Sequence, residues 1–517
     1  MNIHPTYAYP NGLDEGPPRP AGRWRGLGRV ALGLVAAVAV VVLAWMASNW
    51  RDAAVQPRPA ELALPAAQVP ATRNIYFALL GLQAAADRDP AKAAQALWQS
   101  QMELAQTLQN AADPAAREAT LLARVAEERQ ILGSPLASLP AGEPWDCDEL
   151  ATDCVALWLD KAEAGAQQRQ ALQLLGTRCD ATVDALQPGQ SGAFEEVLPT
   201  HWHVATQPMG LMSATVLCSR WQHSAAVLAF RQGRKEEAWR LLARSNHWHR
   251  VLLAGSHTLV TRHFMHSVLR RHLAVVTGLV AQDPAWAAQA VPLLAPFGAP
   301  EAGVRRWMVA EAALQHATLK SISSDDLSPA SVSAAGAGTN GWAETAKAVV
   351  TAPLDWLHRH HIGWHPERTA QAQDQQWGQR IKQLDAGLPA AVAAARGGPT
   401  EADSSLFRWW LNPAGRLIVE VTRSAYDGYL RRPLDLDLHR ETALLGLNAL
   451  RLGIAPKARA AWAQQQPASP ALRERLAWSA DGRSLSVRPW AADGLINGQD
   501  AQPNERIVIT LERAPPA

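Results

Sequence analysis

One stretch of this chain admits very few structures. Residues 30–50, from Val30 to Trp50, read VALGLVAAVAVVVLAWMASNW and carry no charged side chain in 21 positions. As a helix at 1.5 Å per residue, such a run is roughly 30 Å long, the thickness of a bilayer's hydrocarbon core. Trp45 and Trp50 lie near its far end, where indole rings favour the lipid–water interface. Arg19, Arg23, Arg25 and Arg29 precede it, whereas only Arg51, beside Asp52, and the more distant Arg58 follow. Cationic flanks stay cytoplasmic, so the asymmetry predicts a cytoplasmic tail (1–29), a transmembrane anchor (30–50) and the rest of the chain outside. A cleaved signal peptide fits less well. Its apolar region is about 7–15 residues long and ends in a small-x-small site, but Ala44-Trp45-Met46-Ala47 has the wrong spacing. The lipid bilayer is therefore the first expected partner.

The 517 residues are 48% apolar and 19% charged, enough for a packed core. Lys+Arg 49 against Asp+Glu 47 leaves a net charge of only +2, which argues against a dedicated nucleic-acid binder. After the anchor, residues 51–73 carry four prolines and read as an extended stalk. The four cysteines, Cys147, Cys154, Cys179 and Cys218, form an even set in an exported region and predict two disulfides. A local Cys147–Cys154 bridge would leave Cys179 to pair with Cys218.

Beyond residue 74 the pattern is helical. Asp89-Pro90, Asp113-Pro114 and Asp283-Pro284 each precede an Ala-rich run; Asp caps a free backbone N–H, and Pro at the first helical position loses nothing. After Asp89-Pro90, Ala94, Leu97, Trp98, Met102, Ala105 and Leu108 share one face of a 3.6-residue helix. Two α-helical regions are expected, 74–320 and 342–470, separated by a low-complexity loop at 321–341. Past residue 470 the character changes: Leu476-Ala477-Trp478 and Ser484-Leu485-Ser486-Val487 flank an Asp481-Gly482 turn, and RIVITL follows at 506–511. That reads as a small β element over 471–517.

Two segments look alike. Ala78-Leu79-Leu80-Gly81-Leu82 is followed by Ala93 and Leu97; Ala443-Leu444-Leu445-Gly446-Leu447 is followed at the same offsets by Ala458 and Trp462, and Pro470 closes the second unit. A looser third unit spans 225–242, around Arg231-Gln232-Gly233-Arg234. The spacing resembles the tetratricopeptide helix hairpin. The resemblance implies a protein-binding scaffold and carries over no catalytic residue. The expected fold class is thus mainly α: one N-terminal transmembrane helix, an irregular, loosely tetratricopeptide-like body, and a small C-terminal β-hairpin element.

Common catalytic signatures are missing. There is no G-x-S-x-G, no H-E-x-x-H and no Walker A sequence. Gly336-Ala337-Gly338-Thr339-Asn340-Gly341 matches G-x-G-x-x-G, but a Ser/Ala loop stands where a dinucleotide site needs a strand. No cofactor is expected. Histidine is unevenly placed, with nine of the 16 between His201 and His272. His201/His203 and His247/His249 form H-x-H pairs that chelate a metal only on extended backbone, and His263/His266 sit at i, i+3. Arg262, His266 and Arg270 share a helix face and suggest a surface for an anionic partner. Trp409-Trp410, beside Phe407, is the best candidate for an exposed aromatic patch; the other tryptophans, such as Trp98, Trp239 and Trp462, are expected to fill core.

The leading expectation is a non-catalytic scaffold or adaptor in a Gram-negative inner membrane, single-pass, N-terminus cytoplasmic and bulk periplasmic, engaging another envelope protein. The alternatives are a periplasmic hydrolase using the His-rich 201–272 region, or a metal-binding or pH-sensing envelope protein.

Overall fold

A computed structural model describes residues 36–49, 52–110, 154–199, 210–322, 364–396, 428–490 and 506–512, with scattered residues between 120 and 133 and between 412 and 426 and short strands at 495–496 and 499–500. Among these residues the chain is mainly helical. In order come α1 (36–48), α2 (Tyr76–Leu80), α3 (Pro90–Asn110), α4 (Cys154–Asp160), α5 (Ala162–Ala171), α6 (Gln173–Ala185), α7 (Gly210–Arg231), α8 (Lys235–Gly255) and α9 (Leu259–Gln282). Two single-turn helices, α10 (Ala287–Ala290) and α11 (Ala299–Ala302), lead to α12 (Arg305–Ser321), α13 (Pro366–Gln383), α14 (Leu388–Arg396), α15 (Arg432–Arg451), α16 (Arg459–Gln464) and α17 (Pro470–Arg475).

Several helix starts follow side chains that accept a free backbone N–H, among them Asp89, Thr258 and Ser469. The Asp89 carboxylate accepts from Lys92 N at 2.9 Å, and Pro90 opens α3. Ala94, Leu97, Trp98, Ala105 and Leu108 are then buried along one face, as the periodicity requires. Asp283 caps only a 3-10 turn, Pro284–Trp286. Asp113-Pro114 lies outside the described residues.

The body is built of antiparallel helix pairs. The α7–α8 hairpin turns at Gly233, whose φ of +76° suits a residue without Cβ; α9 returns across both, and α15 lies over α9. The α12–α13 pair forms a second layer around Trp307, Met308, Trp377 and Ile381. Trp158, Trp248, Trp307, Trp364 and Trp377 are almost wholly enclosed, so indoles fill space between Ala-rich helices.

The two similar segments pack differently. At Gly81 a Cβ would stand 1.9 Å from the Pro90 carbonyl oxygen and 3.1 Å from the Ala94 Cβ, so α2 crosses α3 at close range. At Gly446 the space is filled by Leu511 and Leu485 from the C-terminal sheet, not by a partner helix. The second unit is therefore a helix roofed by strands.

The C-terminal element is a three-stranded antiparallel sheet, β1 (Leu476–Trp478), β2 (Ser484–Val487) and β5 (Ile507–Thr510), in the order β1-β2-β5; β3 (Leu495–Ile496) and β4 (Gln499–Asp500) pair separately. The β1–β2 turn contains Asp481-Gly482, with Arg483 N donating to the Asp481 carboxylate at 3.1 Å. Leu485 faces Ile509 and Val487 faces Ile507, all four buried, while Val508 points outward at 62% exposure. The alternation seats one face of the sheet on α15.

Cys179 on α6 and Cys218 on α7 form a disulfide, Cα–Cα 5.2 Å, across 39 residues. Cys154 is also disulfide-bonded; Cys147, its expected partner, lies outside the described residues, as does the loop at 321–341.

Among the described residues no helix is long and apolar enough to cross a membrane. α1 covers 36–48 of the uncharged run, and residues 30–35 and 50 are outside the described set. The membrane-length helix expected from the sequence is therefore not seen as such. α1 nonetheless leaves Val38, Val40, Val41, Val42 and Leu43 exposed by 44–65%.

Candidate functional site

Apart from a 3-10 turn at Ala60–Leu62 and a turn at 71–73, the segment 52–74 is extended and laid along the helical body as a strap. The Asp52 carboxylate accepts the backbone N–H groups of Glu367 and Arg368 at the start of α13, where the helix dipole favours an anion. Arg58 pairs with Asp374 at 3.2 Å. Leu62 is fully buried beside Trp307 and Trp377. Farther along, Asn74 bridges to Ala193, and its side chain donates to the Glu195 carbonyl at 2.6 Å.

Between strap and body lies a cavity of about 560 Å³. Leu64, Pro65, Val69, Phe77, Val197 and Leu198 give it apolar walls, and Glu195, His257 and Arg306 supply polar groups. A mostly apolar hollow with a few convergent polar groups is the usual form of a binding site.

Glu195 is the hub. Its Oε2 accepts the N–H groups of Gln68 and Val69 at 2.7 and 2.6 Å. Its Oε1 accepts from His257 Nε2 at 3.1 Å and from the Arg306 guanidinium. Burial pushes this carboxyl up, but the donors from Val69, Gln68, His257 and Arg306 together hold it below the usual carboxylate range. Burial, and then the charge on Arg306, pushes His257 below the usual imidazole range against the pull of Glu196 and Glu195. A neutral His257 donating from Nε2 leaves Nδ1 as a lone pair. No hydroxyl or thiol lines the cavity among the described residues. The neighbouring Glu196 is spent at the start of α9, accepting from His257 N, Thr258 N, Thr258 Oγ1 and Thr261 Oγ1.

The histidines singled out from the sequence fall elsewhere. His201 and His203 lie outside the described residues, as do Trp409 and Trp410. His247 and His249 sit on α8, where residues two apart point in different directions. His247 contacts the Leu186 carbonyl oxygen at 2.9 Å, while His249 turns inward. His263 and His266 share α9; burial, then Arg432 and Arg270, pushes His263 down to about 4. Burial, then Arg262 and other cations, pushes His266 well below its usual range. Arg262 and His266 are only 2% and 5% exposed. As placed, Arg262 is an internal tie that donates to the carbonyls of Leu253, Pro300 and Glu301. Arg270 on the same helix is half-buried.

One constellation was not anticipated. His223 on α7, His249 on α8 and His272 on α9 meet in the core, each no more than 1% exposed. His223 Nε2 stands 3.0 Å from His272 Nδ1, and one nitrogen of each residue lies within 4.8 Å of the other two. No local spacing announces it, because each helix contributes one member.

No protein-family model, curated protein or solved structure matches this chain.

Proposed function

We propose that this is a single-pass protein of the bacterial inner membrane whose periplasmic body serves as a non-catalytic scaffold, with the strap cavity receiving an apolar segment of another envelope protein. The observation that carries the reading is the exposed valine and leucine surface of α1, set within an uncharged run long enough to span a bilayer. Exposed aliphatic side chains in such a row lose free energy in water at about 25 cal/mol per Å², and lipid removes that penalty. The oxidised cysteines support an exported body. The walls of the cavity are apolar and its charged groups are already committed to one another, which supports binding over turnover.

Two measurements test this reading. A C-terminal alkaline phosphatase fusion is active if the body is periplasmic, and inactivity there removes the proposal. A photo-crosslinker placed at Phe77 or Val197 in living cells should join the protein to one recurring envelope protein, whereas one placed at exposed Val508 should not. Equal labelling from all three positions rejects the cavity as the docking place.

A further inference from the structure

The three-histidine cluster is independent of the membrane and scaffold reading. Its chemistry is unusually restricted. The rings of His223, His249 and His272 are 5.2–5.6 Å apart between centroids, on three helices that pack side by side. His223 Nδ1 and His272 Nε2 have no hydrogen-bonding partner among the described residues. The facing nitrogens, His223 Nε2 and His272 Nδ1, stand close enough to share one ion, and a nitrogen of His249 lies within reach of both. Burial is the main cause that keeps all three rings neutral, so their lone pairs are available. Ser219 Oγ and Ser245 Oγ lie 3.1 and 3.5 Å from the two nitrogens of His249. Either hydroxyl can take the ring N–H that coordination leaves over. Three nitrogens bound at about 2.0 Å to one ion stand roughly 3.4 Å apart, within the range found here.

We propose that His223, His249 and His272 form a three-coordinate site for a monovalent transition-metal ion, Cu+. Imidazole suits copper and zinc. The charge balance decides between them. Among the described residues the charged group acting on these rings is Arg271, a cation, and no carboxylate acts on them. The nearby thiols of Cys179 and Cys218 are oxidised and are not ligands. Burying an ion costs in proportion to the square of its charge, so an uncompensated dication is penalised about fourfold more than a monovalent ion. Three neutral imidazoles with no anion among the described residues therefore favour Cu+ over Zn2+.

The test uses the full chain in detergent, loaded anaerobically with Cu+ or Zn2+ in the presence of a competing chelator. The expected result is one Cu+ per chain, with X-ray absorption showing three nitrogen scatterers near 2.0 Å. His249→Gln and His272→Phe should each weaken Cu+ binding by at least roughly tenfold; His247→Ala, beside the cluster on the same helix, should not. The absorption spectrum of the unmutated protein decides the matter even if a variant fails to fold. Failure to bind Cu+, preference for Zn2+, or a spectrum dominated by sulfur overturns the proposal.

Discussion

The Asn49 side-chain oxygen accepts the backbone N–H of Asn412 at 2.8 Å, and both residues are buried. Asn49 directly follows the exposed apolar helix, and Asn412 holds a left-handed backbone with φ 56°. Asn412 also donates from Nδ2 to Thr369 Oγ1 at 2.8 Å and accepts from His365 N at 3.1 Å. One residue thus joins the end of α1 to α13.

Replacing Asn412 with Ala removes these side-chain bonds and places a Cβ residue that disfavours positive φ. The loss expected is about 2–4 kcal/mol of unfolding free energy. Asn412→Gly keeps the backbone relaxed and should lose less. Denaturant titration of both variants checks the order; equal losses would show that the backbone conformation is irrelevant.

The Cys179–Cys218 bridge closes a loop of 39 residues, for which chain-entropy arguments give about 4 kcal/mol and measured cases run about 2–4. A Cys179→Ala/Cys218→Ala protein should unfold at correspondingly lower denaturant. Since both sulfurs are fully buried, reductant alone should act on the native protein no faster than it unfolds. Rapid reduction with the fold intact contradicts this placement.

Gly81→Ala should cost about 1–3 kcal/mol or more, because its Cβ meets a backbone carbonyl that cannot rotate away. Gly189→Ala is the contrast: its backbone is left-handed but nothing lies within 4 Å, so the loss there is conformational only. Thermal unfolding of the pair separates crowding from backbone strain.

Acid should destabilise the metal-free protein early. Burial pushes His272 and His439 down to about 3, with Arg270 adding to the effect on His439, and pushes His263 to about 4. Above about pH 6.5 these rings are neutral whether folded or not. Below it the unfolded chain binds protons that the folded one refuses. Stability therefore falls as pH falls, until the folded rings titrate near 4 and 3. Each ring costs about 1.4 kcal/mol per pH unit in that window. Unfolding at pH 5.5 should take up several protons; a flat stability curve between pH 7 and 5 would be incompatible with these buried rings.

Glu195→Gln should loosen the strap, since an amide cannot accept all four of the donors that converge there. Limited proteolysis between residues 63 and 69 should accelerate while the rest of the body stays protected. Unchanged cleavage would assign the strap's hold to Leu62 and Arg58.

What could be read from the sequence were features with local causes. Asp89-Pro90 announces α3 because cap and proline act within one turn. Asp481-Gly482 announces the hairpin because turn chemistry is a matter of four residues. The parity of the cysteines foreshadows the Cys179–Cys218 bridge. Proline content announces a largely extended segment after residue 51, but its docking depends on Glu195 and Asp374, far along the chain. Gly446 looked like Gly81, yet its neighbour proved to be a strand. The H-x-H spacing does not point to the buried trio, because consecutive helices, not neighbouring positions, bring His223, His249 and His272 together.

The strap leaves the apolar helix no slack. Asn49 and Asp52 are already fastened to the body within a few residues of α1. If α1 enters lipid as proposed, the body has no tether on which to swing, and its reach is its own outline.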